Sequence, residues 1–154
     1  MMPPFLYKLI GRGMALYNRI MKPTTRGVRA IVVNAQNEIL LVEHQLDGLW
    51  YLPGGGLGKN EDEATGLLRE LKEELNLKAL EAPEVFSTYQ NNREYKKDTI
   101  SIFVIKNFEM AFKKNLEIKK MGFFNAETLP EKTSPGTKRR IAEYYGAAPI
   151  SVKW

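Results

Sequence analysis

The chain has 154 residues with a net charge of +5, 44% hydrophobic and 27% charged residues, and no cysteine. This length suits one ordinary domain, and the composition is that of a globular protein, which argues against a disordered chain. The lack of cysteine excludes disulfides and thiolate metal sites, and no apolar run approaches the ~20 residues that cross a bilayer, so we expect a cytoplasmic protein.

The positive charge is concentrated near the N-terminus. Six basic residues precede the first acidic residue, Glu38: Lys8, Arg12, Arg19, Lys22, Arg26 and Arg29. Removing these six from the 23 basic residues leaves 17, against 18 acidic residues. The remainder is therefore close to neutral, and the overall basicity does not predict sequence-specific binding of nucleic acid.

Residues 1–26 are interpreted as a basic, partly helical extension of a domain that spans residues 27–154. Residues 5–21 have apolar side chains at helical spacing, and Pro23 ends the pattern. We expect this helix to pack on the domain or on a second subunit, which would make a homodimer. Weak attachment to an anionic membrane surface and a targeting peptide are the alternatives.

The segments after Gly27 predict an α+β domain with a mixed, curved sheet and helices packed against it. Residues 28–34 and 38–44 are expected to form a hairpin, and residues 85–90 and 99–105 a second one. The other predicted elements are short strands at 50–52 and 121–124, a helix at 62–75, and a closing helix at 137–145 capped by Thr137 or Gly136.

The chemistry-bearing segment is PGGGLGKNEDEATGLLRELKEELNL, residues 53–77. Asp62 is the expected N-cap of its helix. An apolar stripe is expected to face the core: Ala64, Leu68, Leu71 and Leu75.

Three carboxylates, Glu70, Glu73 and Glu74, fall at i, i+3 and i+4 on another face of this helix. They repel one another, and Glu73 and Glu74 lie in the last turn, where the helix dipole disfavours negative charge. A divalent cation would reverse both effects. Oxygen ligands without His or Cys favour Mg²⁺ or Mn²⁺ over zinc.

The glycines and the arginine of the segment fit the same picture. Gly54, Gly55 and Gly56 allow the backbone to approach a phosphate or the helix closely, and are candidate substrate-binding residues. Arg69 and Glu61 are expected to form an ion pair that ties the loop to the helix. The alternative interpretation of the whole segment is a solvated Glu/Lys helix that follows a glycine loop.

The segment resembles the signature of the Nudix hydrolases, with the MutT-like members the most similar in size. Its fixed positions occur here in register between residues 55 and 77: Gly55, Glu61, Arg69, Glu70, Leu71, Glu73, Glu74 and Leu77. Two usual glycines are replaced by Asn60 and Asn76. Asparagine tolerates the left-handed conformation best among the other residues, so little damage is expected.

The resemblance implies an αβα sandwich whose helix presents Mg²⁺ to a diphosphate. It implies Glu70, Glu73 and Glu74 as metal ligands, with Arg69 among the catalytic residues and Glu70 as the group that helps to deprotonate the attacking water. Family members often take another carboxylate from a loop outside the signature. Glu117 is the best candidate, with Glu109 and Glu94 as weaker ones.

Other polar residues carry less specific signals. His44, the one histidine, is expected to be packed or at the surface, with a substrate contact as the alternative. Residues 89–97 are expected to be either a solvated hairpin loop or a contact for a base or ribose. The run 138–140 (KRR) is expected on the solvated side of the last helix.

The main hypothesis is a pyrophosphohydrolase that requires Mg²⁺, or Mn²⁺ in its place. Its small-molecule substrate would be a nucleoside diphosphate linked to another group: a nucleoside triphosphate, ADP-ribose or a dinucleoside polyphosphate. The alternative is a module with the same fold that senses nucleotides or serves as a scaffold, without turnover.

Overall fold

The computed structural model describes residues 3–11, 24–91 and 97–154. Helical segments are residues 4–11 (α1), Glu63–Leu75 (α2) and Pro135–Tyr144 (α3). The strands are β1 (Thr24–Val32), β2 (Ile39–His44), β3 (Trp50–Tyr51), β4 (Gly54–Gly56), β5 (Leu77–Ala79), β6 (Glu84–Asn91), β7 (Lys97–Ile105), β8 (Phe108–Met110) and β9 (Ile118–Phe124). Within the described ranges, every helix is too short or too polar to traverse a bilayer.

The strands form a mixed sheet and two smaller antiparallel ones, which confirms the α+β class. The mixed sheet has the order β4-β1-β7-β6, and the others have the orders β3-β2-β9 and β5-β8. In the mixed sheet β1 runs parallel to β7 and antiparallel to β4. β1 is therefore an interior strand, buried on both faces and paired on both edges.

Two apolar clusters lie on opposite faces of β1. Val28 and Ala30 pack in one cluster with Leu71 of α2, whereas Ile31 packs in the other with Ile141 of α3. Because successive side chains of a strand point to opposite faces, the two helices cover opposite sides of the sheet. The expected αβα sandwich is confirmed.

The first predicted hairpin, residues 28–34 with 38–44, is wrong. β1 and β2 belong to different sheets, and the pairing next to the turn is limited to a bridge between Val33 and Ile39 and a 3.1 Å bond from the Asn34 N–H to the Glu38 carbonyl. The turn between the two segments is present and is stabilised by Asn34, whose Oδ1 accepts from the backbone N–H groups of Gln36 and Glu38 at 3.1 and 2.9 Å. Both edges of β1 are occupied by β4 and β7, so β2 pairs with β3 and β9 instead.

Most other predicted elements are present, with shifted bounds. The second hairpin is confirmed by the antiparallel pairing of β6 with β7. The closing helix begins earlier than expected: its N-cap is Ser134, not Thr137 or Gly136, and Pro135 occupies the first turn. Of the predicted N-terminal helix, residues 4–11 are helical and residues 12–21 lie outside the described ranges. The boundary at residue 27 stays a prediction, and β1 begins three residues before it.

The apolar face of α2 is rotated from the predicted one. Leu67, Leu71 and Leu75 are buried, whereas Leu68 is 36% exposed. Leu67 therefore occupies the place in the core that the periodicity assigned to Leu68. This rotation also turns Glu74 inward, so that only 4% of it is exposed.

The expectation that the KRR run is solvated is wrong for Arg140. Its side chain is fully buried and pairs with Glu143 Oε1 at 2.8 Å. The guanidinium also lies 4.0 Å from the ring centroid of Tyr89, whose hydroxyl donates to Glu143 Oε2 at 2.6 Å. The buried cation is compensated by the carboxylate of Glu143, three residues along the same helix, and by the rings of Tyr89 and Trp154, which are more distant in sequence.

We expect Glu143→Gln to lower the free energy of unfolding by about 3–5 kcal/mol, because it leaves the buried Arg140 charge without its counter-ion. Urea unfolding followed by far-UV circular dichroism measures this change. The double variant Arg140→Met/Glu143→Gln should be more stable than the single one, since it buries no charge and keeps an acceptor for Tyr89. Arg139→Met, at an exposed neighbour, is the control and should change stability by less than about 0.5 kcal/mol. A loss below about 1 kcal/mol for Glu143→Gln would contradict the expectation.

Candidate functional site

The glycines of residues 54–56 form a strand between β1 and the start of α2. Gly54 has φ +143°, and a Cβ on it would collide with the backbone of Val28 and Arg29. A Cβ on Gly55 would overlap the carboxylate of Glu70, whereas one on Gly56 would meet nothing within 4 Å. Gly54 is therefore required for the close approach of β4 to β1, and Gly55 leaves the space that the Glu70 carboxylate occupies. The sequence predicted the close approach but not the strand.

The ends of α2 are set by local contacts that the sequence predicted. Asp62 is the N-cap, and its carboxylate accepts from the Thr65 N–H at 3.0 Å. Asn76 is the C-cap, in the left-handed conformation with φ 49°. Asn60 also has a positive φ, 63°. Both asparagines that replace glycines of the signature thus adopt the conformation that glycine would supply.

Arg69 connects the loop to the carboxylates of the helix. Its Nε donates to Glu61 Oε1 at 2.8 Å and its Nη2 donates to Glu61 Oε2 at 3.0 Å, which confirms the predicted ion pair. Arg69 holds the pKa of Glu61 near 2, because its hydrogen bonds favour the carboxylate. Its Nη1 also lies 2.7 Å from Glu70 Oε1 and 3.5 Å from Glu73 Oε2, contacts that the sequence did not predict.

Glu74 is the buried carboxylate of the site. Its Oε2 accepts from the Gly54 N–H at 3.1 Å. Burial raises its pKa to about 7; the charges of Glu70 and Glu117 add to the rise, and Arg29 opposes it. A carboxylate in this position has one neutral donor and nearby like charges, which is an unfavourable environment for its ionised form.

Glu117 lies close enough to Glu74 for its charge to raise that pKa. Asn115 connects the backbone of Glu117 to the backbone of Glu74. Its Nδ2 donates to the Glu74 carbonyl at 2.8 Å, and its Oδ1 accepts from the Glu117 N–H at 3.0 Å. The Glu117 carbonyl accepts from the Gln45 N–H at 2.8 Å, which fixes the other side of the loop. Of the weaker candidates, Glu109 faces Lys78 across β8 and β5, and Glu94 lies outside the described ranges.

The structure brings Glu70 and Glu74 to the glycine strand, whereas Glu73 is largely exposed and faces Arg69. Among the described residues, no group of three His, Asp or Glu side chains is arranged so that it could hold a metal ion. The donor set nevertheless fits Mg²⁺ or Mn²⁺, because it consists of carboxylate oxygens around a buried carboxylate that lacks a bonded cation. A metal ion would compete with Arg69 for Glu70 and Glu73.

Arg29 is a site residue that sequence analysis missed. Its Nη1 donates to the carbonyls of Leu52 and Gly54 at 3.3 and 3.1 Å. Its charge lowers the pKa values of both Glu74 and His44, in each case as a secondary cause. The sequence feature that could have indicated this role is the position of Arg29 as the one cation in the otherwise apolar segment VRAIVV.

His44 is a packed histidine. Its ring lies edge-on to Tyr51 with centroids 5.0 Å apart, and burial lowers its pKa. In the loop predicted at residues 89–97, Tyr89 is instead a fully buried residue of β6. The loop tip, residues 92–96, lies outside the described ranges.

Glu74 predicts a specific pH dependence of stability in metal-free protein. Its folded pKa, about 7, lies above the ordinary value of 4.5, so the folded state binds the proton more tightly than the unfolded state. The resulting stabilisation is complete below pH 4.5 and is lost as the pH rises through 7. Relative to Glu74→Gln, the wild type should be more stable at about pH 5 than at about pH 8, by up to about 3 kcal/mol.

Urea unfolding in EDTA at both pH values measures this difference. Added Mg²⁺ should reduce it, because an ion bound to the carboxylate competes with the proton. A difference between wild type and Glu74→Gln that does not vary with pH would contradict the assigned environment of Glu74.

The chain was compared with known proteins. A sequence model of the NUDIX domain matches residues 23–144. An RNA pyrophosphohydrolase of Pelagibacter ubique is 33% identical over 66 residues, which is 42% of this chain and 42% of that relative. The crystal structure of a MutT NUDIX hydrolase from Burkholderia pseudomallei has a TM-score of 0.68 at 22% identity, covering 77% of this chain and 96% of that one.

The crystal structure of a MutT protein from Methanosarcina mazei also has a TM-score of 0.68 at 22% identity, covering 81% of this chain and 94% of that one. These structural likenesses support the fold, and the family match covers most of the chain, including the segment between β4 and α2. The chain therefore belongs to the Nudix hydrolase family.

Proposed function

We propose that this chain hydrolyses a phosphoric anhydride bond in a nucleoside diphosphate linked to another group, and that it depends on Mg²⁺. The observation that carries the proposal is the environment of Glu74. This carboxylate is 4% exposed, and Glu70 and Glu117 lie near enough for their negative charges to raise its pKa. Among the described residues, its hydrogen-bond donor is the neutral Gly54 N–H. Arg29 offsets the effect of burial only in part, so a divalent ion would supply positive charge that Glu74 needs in its ionised form.

Glu70, Glu73, Glu74 and Glu117 are the residues that we propose hold Mg²⁺, with Mn²⁺ able to replace it. When bound, the ion would neutralise the diphosphate oxygens and lower the pKa of the attacking water. Glu70 is proposed to accept the proton of that water. Its carboxylate is directed by Arg69, which is a positioning residue in this scheme. Gly54–Gly56 would allow the phosphates to lie close to the backbone.

The substrate is proposed to be a nucleotide: a nucleoside triphosphate, ADP-ribose or a dinucleoside polyphosphate. A phosphorylated RNA 5′ end is added because one relative is an RNA pyrophosphohydrolase, although that match covers less than half of the relative's length. We further expect a cytoplasmic location from the cysteine-free composition. The homodimer stays a prediction from the sequence.

The second candidate is a module that binds nucleotides without turnover. The observation that favours it is the pairing of Arg69 with Glu70 and Glu73, which gives two candidate ligands a cationic partner without a metal ion. The two candidates agree on nucleotide binding and differ in turnover, so a ligand mutant separates them.

Glu73→Gln should abolish most of the turnover and leave nucleotide binding intact. We expect a loss in kcat of about 100-fold or more, because the substitution removes one ligand charge from the proposed metal site. The measurement is a Mg²⁺-dependent hydrolysis panel of nucleoside triphosphates, ADP-ribose, NADH, dinucleoside polyphosphates, a nucleotide sugar and triphosphorylated RNA. Products are identified by chromatography.

Glu127→Gln is the matched control, since Glu127 is an exposed glutamate that follows β9, outside the site. Equal turnover by Glu73→Gln and wild type would contradict the metal-site assignment. Nucleotide binding without turnover by the wild type, across the whole panel, would favour the sensing module.

Glu117→Gln tests the fourth proposed ligand. The substitution should raise the Mg²⁺ concentration that gives half-maximal activity by about tenfold, because one carboxylate is lost from the ion's surroundings. Glu109→Gln, at an exposed glutamate of β8, should change it by less than about twofold. Equal shifts in the two variants would show that general surface charge, and not ligation, produces the effect.

A further inference from the structure

The N-terminal helix α1 contacts the loop that carries Glu117. The hydroxyl of Tyr7 donates to the carbonyl of Leu116 at 2.6 Å, although 109 positions separate the two residues. On the other side of the same loop, Gln45 Nε2 donates to the Asn115 carbonyl at 3.1 Å. α1, residues 113–117 and the residues that follow β2 therefore form one continuous region, which we call the rim.

Large apolar side chains of the rim are exposed. Phe5 and Leu9 are 68% and 61% exposed, and Leu116 and Leu46 are 49% and 54% exposed. Phe5, Lys8 and Leu9 are spaced i, i+3 and i+4, so they share one face of α1. Exposed apolar residues are ordinary when scattered, but a group of them on one region of the surface indicates an interaction site.

The charge around these residues is mainly positive. Lys8, Lys113 and Lys114 are exposed, and within the described ranges none of them forms an ion pair. Two acidic groups lie nearby. Asp47 accepts a hydrogen bond from Tyr51, and Glu117 belongs to the proposed metal site.

We propose that the rim docks on an anionic membrane surface. Apolar side chains flanked by lysines, on a helix that is too short to cross a bilayer, are the chemistry of an interfacial segment. Its lysines would lie at the level of the lipid headgroups while Phe5 and Leu9 enter the acyl boundary. Docking in this way places the Glu117 side of the catalytic site beside the membrane.

A second copy of the chain fits this surface less well. A two-fold contact places each patch against its own copy, so it would bring the lysines of both rims together. An anionic bilayer supplies both parts that the rim lacks, an apolar phase and negative charge.

Cosedimentation of the full chain with vesicles tests the proposal. The vesicles are phosphatidylcholine alone, or phosphatidylcholine with about 30% phosphatidylserine. The wild type should bind the anionic vesicles at about 0.1 M salt and lose most binding at about 0.5 M, since salt screens the lysines. Leu9→Asp should reduce the binding constant by about tenfold or more, because it places a charge in the apolar face.

Val85→Asp is the matched control, because Val85 is 65% exposed on β6 and lies outside the rim. It should bind vesicles like the wild type. Both variants should hydrolyse a soluble nucleotide at the wild-type rate, which separates a docking role from a defect in folding or in the catalytic site.

Three results would overturn the proposal. One is equal vesicle binding by the wild type and Leu9→Asp. Another is binding that does not depend on phosphatidylserine. In the third, the wild type binds none of the vesicles but forms a dimer, measured by light scattering, and Leu9→Asp dissociates that dimer. The rim would then join two copies of the chain.

Discussion

The architecture of the site depends on the close approach of a glycine strand to a helix. Gly54 contacts β1 where any Cβ would collide, and its N–H reaches Glu74 Oε2 at 3.1 Å. The next residue, Gly55, leaves the space that the Glu70 carboxylate occupies. β4 is itself paired with β1, so the mixed sheet fixes where β4 lies. The positions of the Glu70 and Glu74 carboxylates, which contact β4, therefore depend on that sheet. A side chain on Gly54 would separate β4 from β1, and one on Gly55 would displace the Glu70 carboxylate.

This approach creates two electrostatic environments on one helix. Glu61 of the loop and Glu70 and Glu73 of α2 share the half-buried side chain of Arg69 as their cation. Glu74 lies on the sheet side, where burial raises its pKa, while the charge of Arg29 and the hydrogen bond from the Gly54 N–H oppose that effect. Glu70 and Glu73 of this helix therefore have a cationic partner, whereas Glu74 has no ion pair among the described residues. A divalent ion would therefore stabilise the ionised form of Glu74 most, because this carboxylate is buried. The number of acidic residues on the helix matters less.

Features determined by neighbouring residues were predicted correctly from the sequence. The N-cap Asp62, the left-handed Asn76 and the Arg69–Glu61 pair all depend on contacts within the segment or its helix. The rotation of α2 could not be predicted. Leu67 and Leu68 fit the apolar periodicity about equally, and the choice between them follows from where β4 fixes the helix.

Features that depend on residues distant in sequence were missed, because no local pattern indicates those contacts. Nothing near Arg140 in the sequence indicates that Tyr89 covers it, so its burial emerges only in the folded structure. The pairing of β1 with β7 likewise joins segments about 70 residues apart and displaces the local hairpin that the turn at Asn34 favours. Arg29 belongs to this class, because its role arises from the carbonyls of Leu52 and Gly54.

The loop at residues 113–117 links the two proposals physically. Asn115 bonds to the last turn of α2 through the Glu74 carbonyl, and Leu116 bonds to α1 through Tyr7. Glu117 follows directly, so it belongs to a loop that contacts both the helix of the proposed metal site and the helix of the proposed membrane contact, and its side chain is exposed. The bond from Asn115 to Glu74 is accompanied by two bonds from Gln45, to the carbonyls of Asn115 and Glu117, whereas the bond from Tyr7 is a single contact at the surface. Glu117 should therefore keep its place when α1 moves, and a membrane contact would govern where catalysis occurs more than how fast it proceeds.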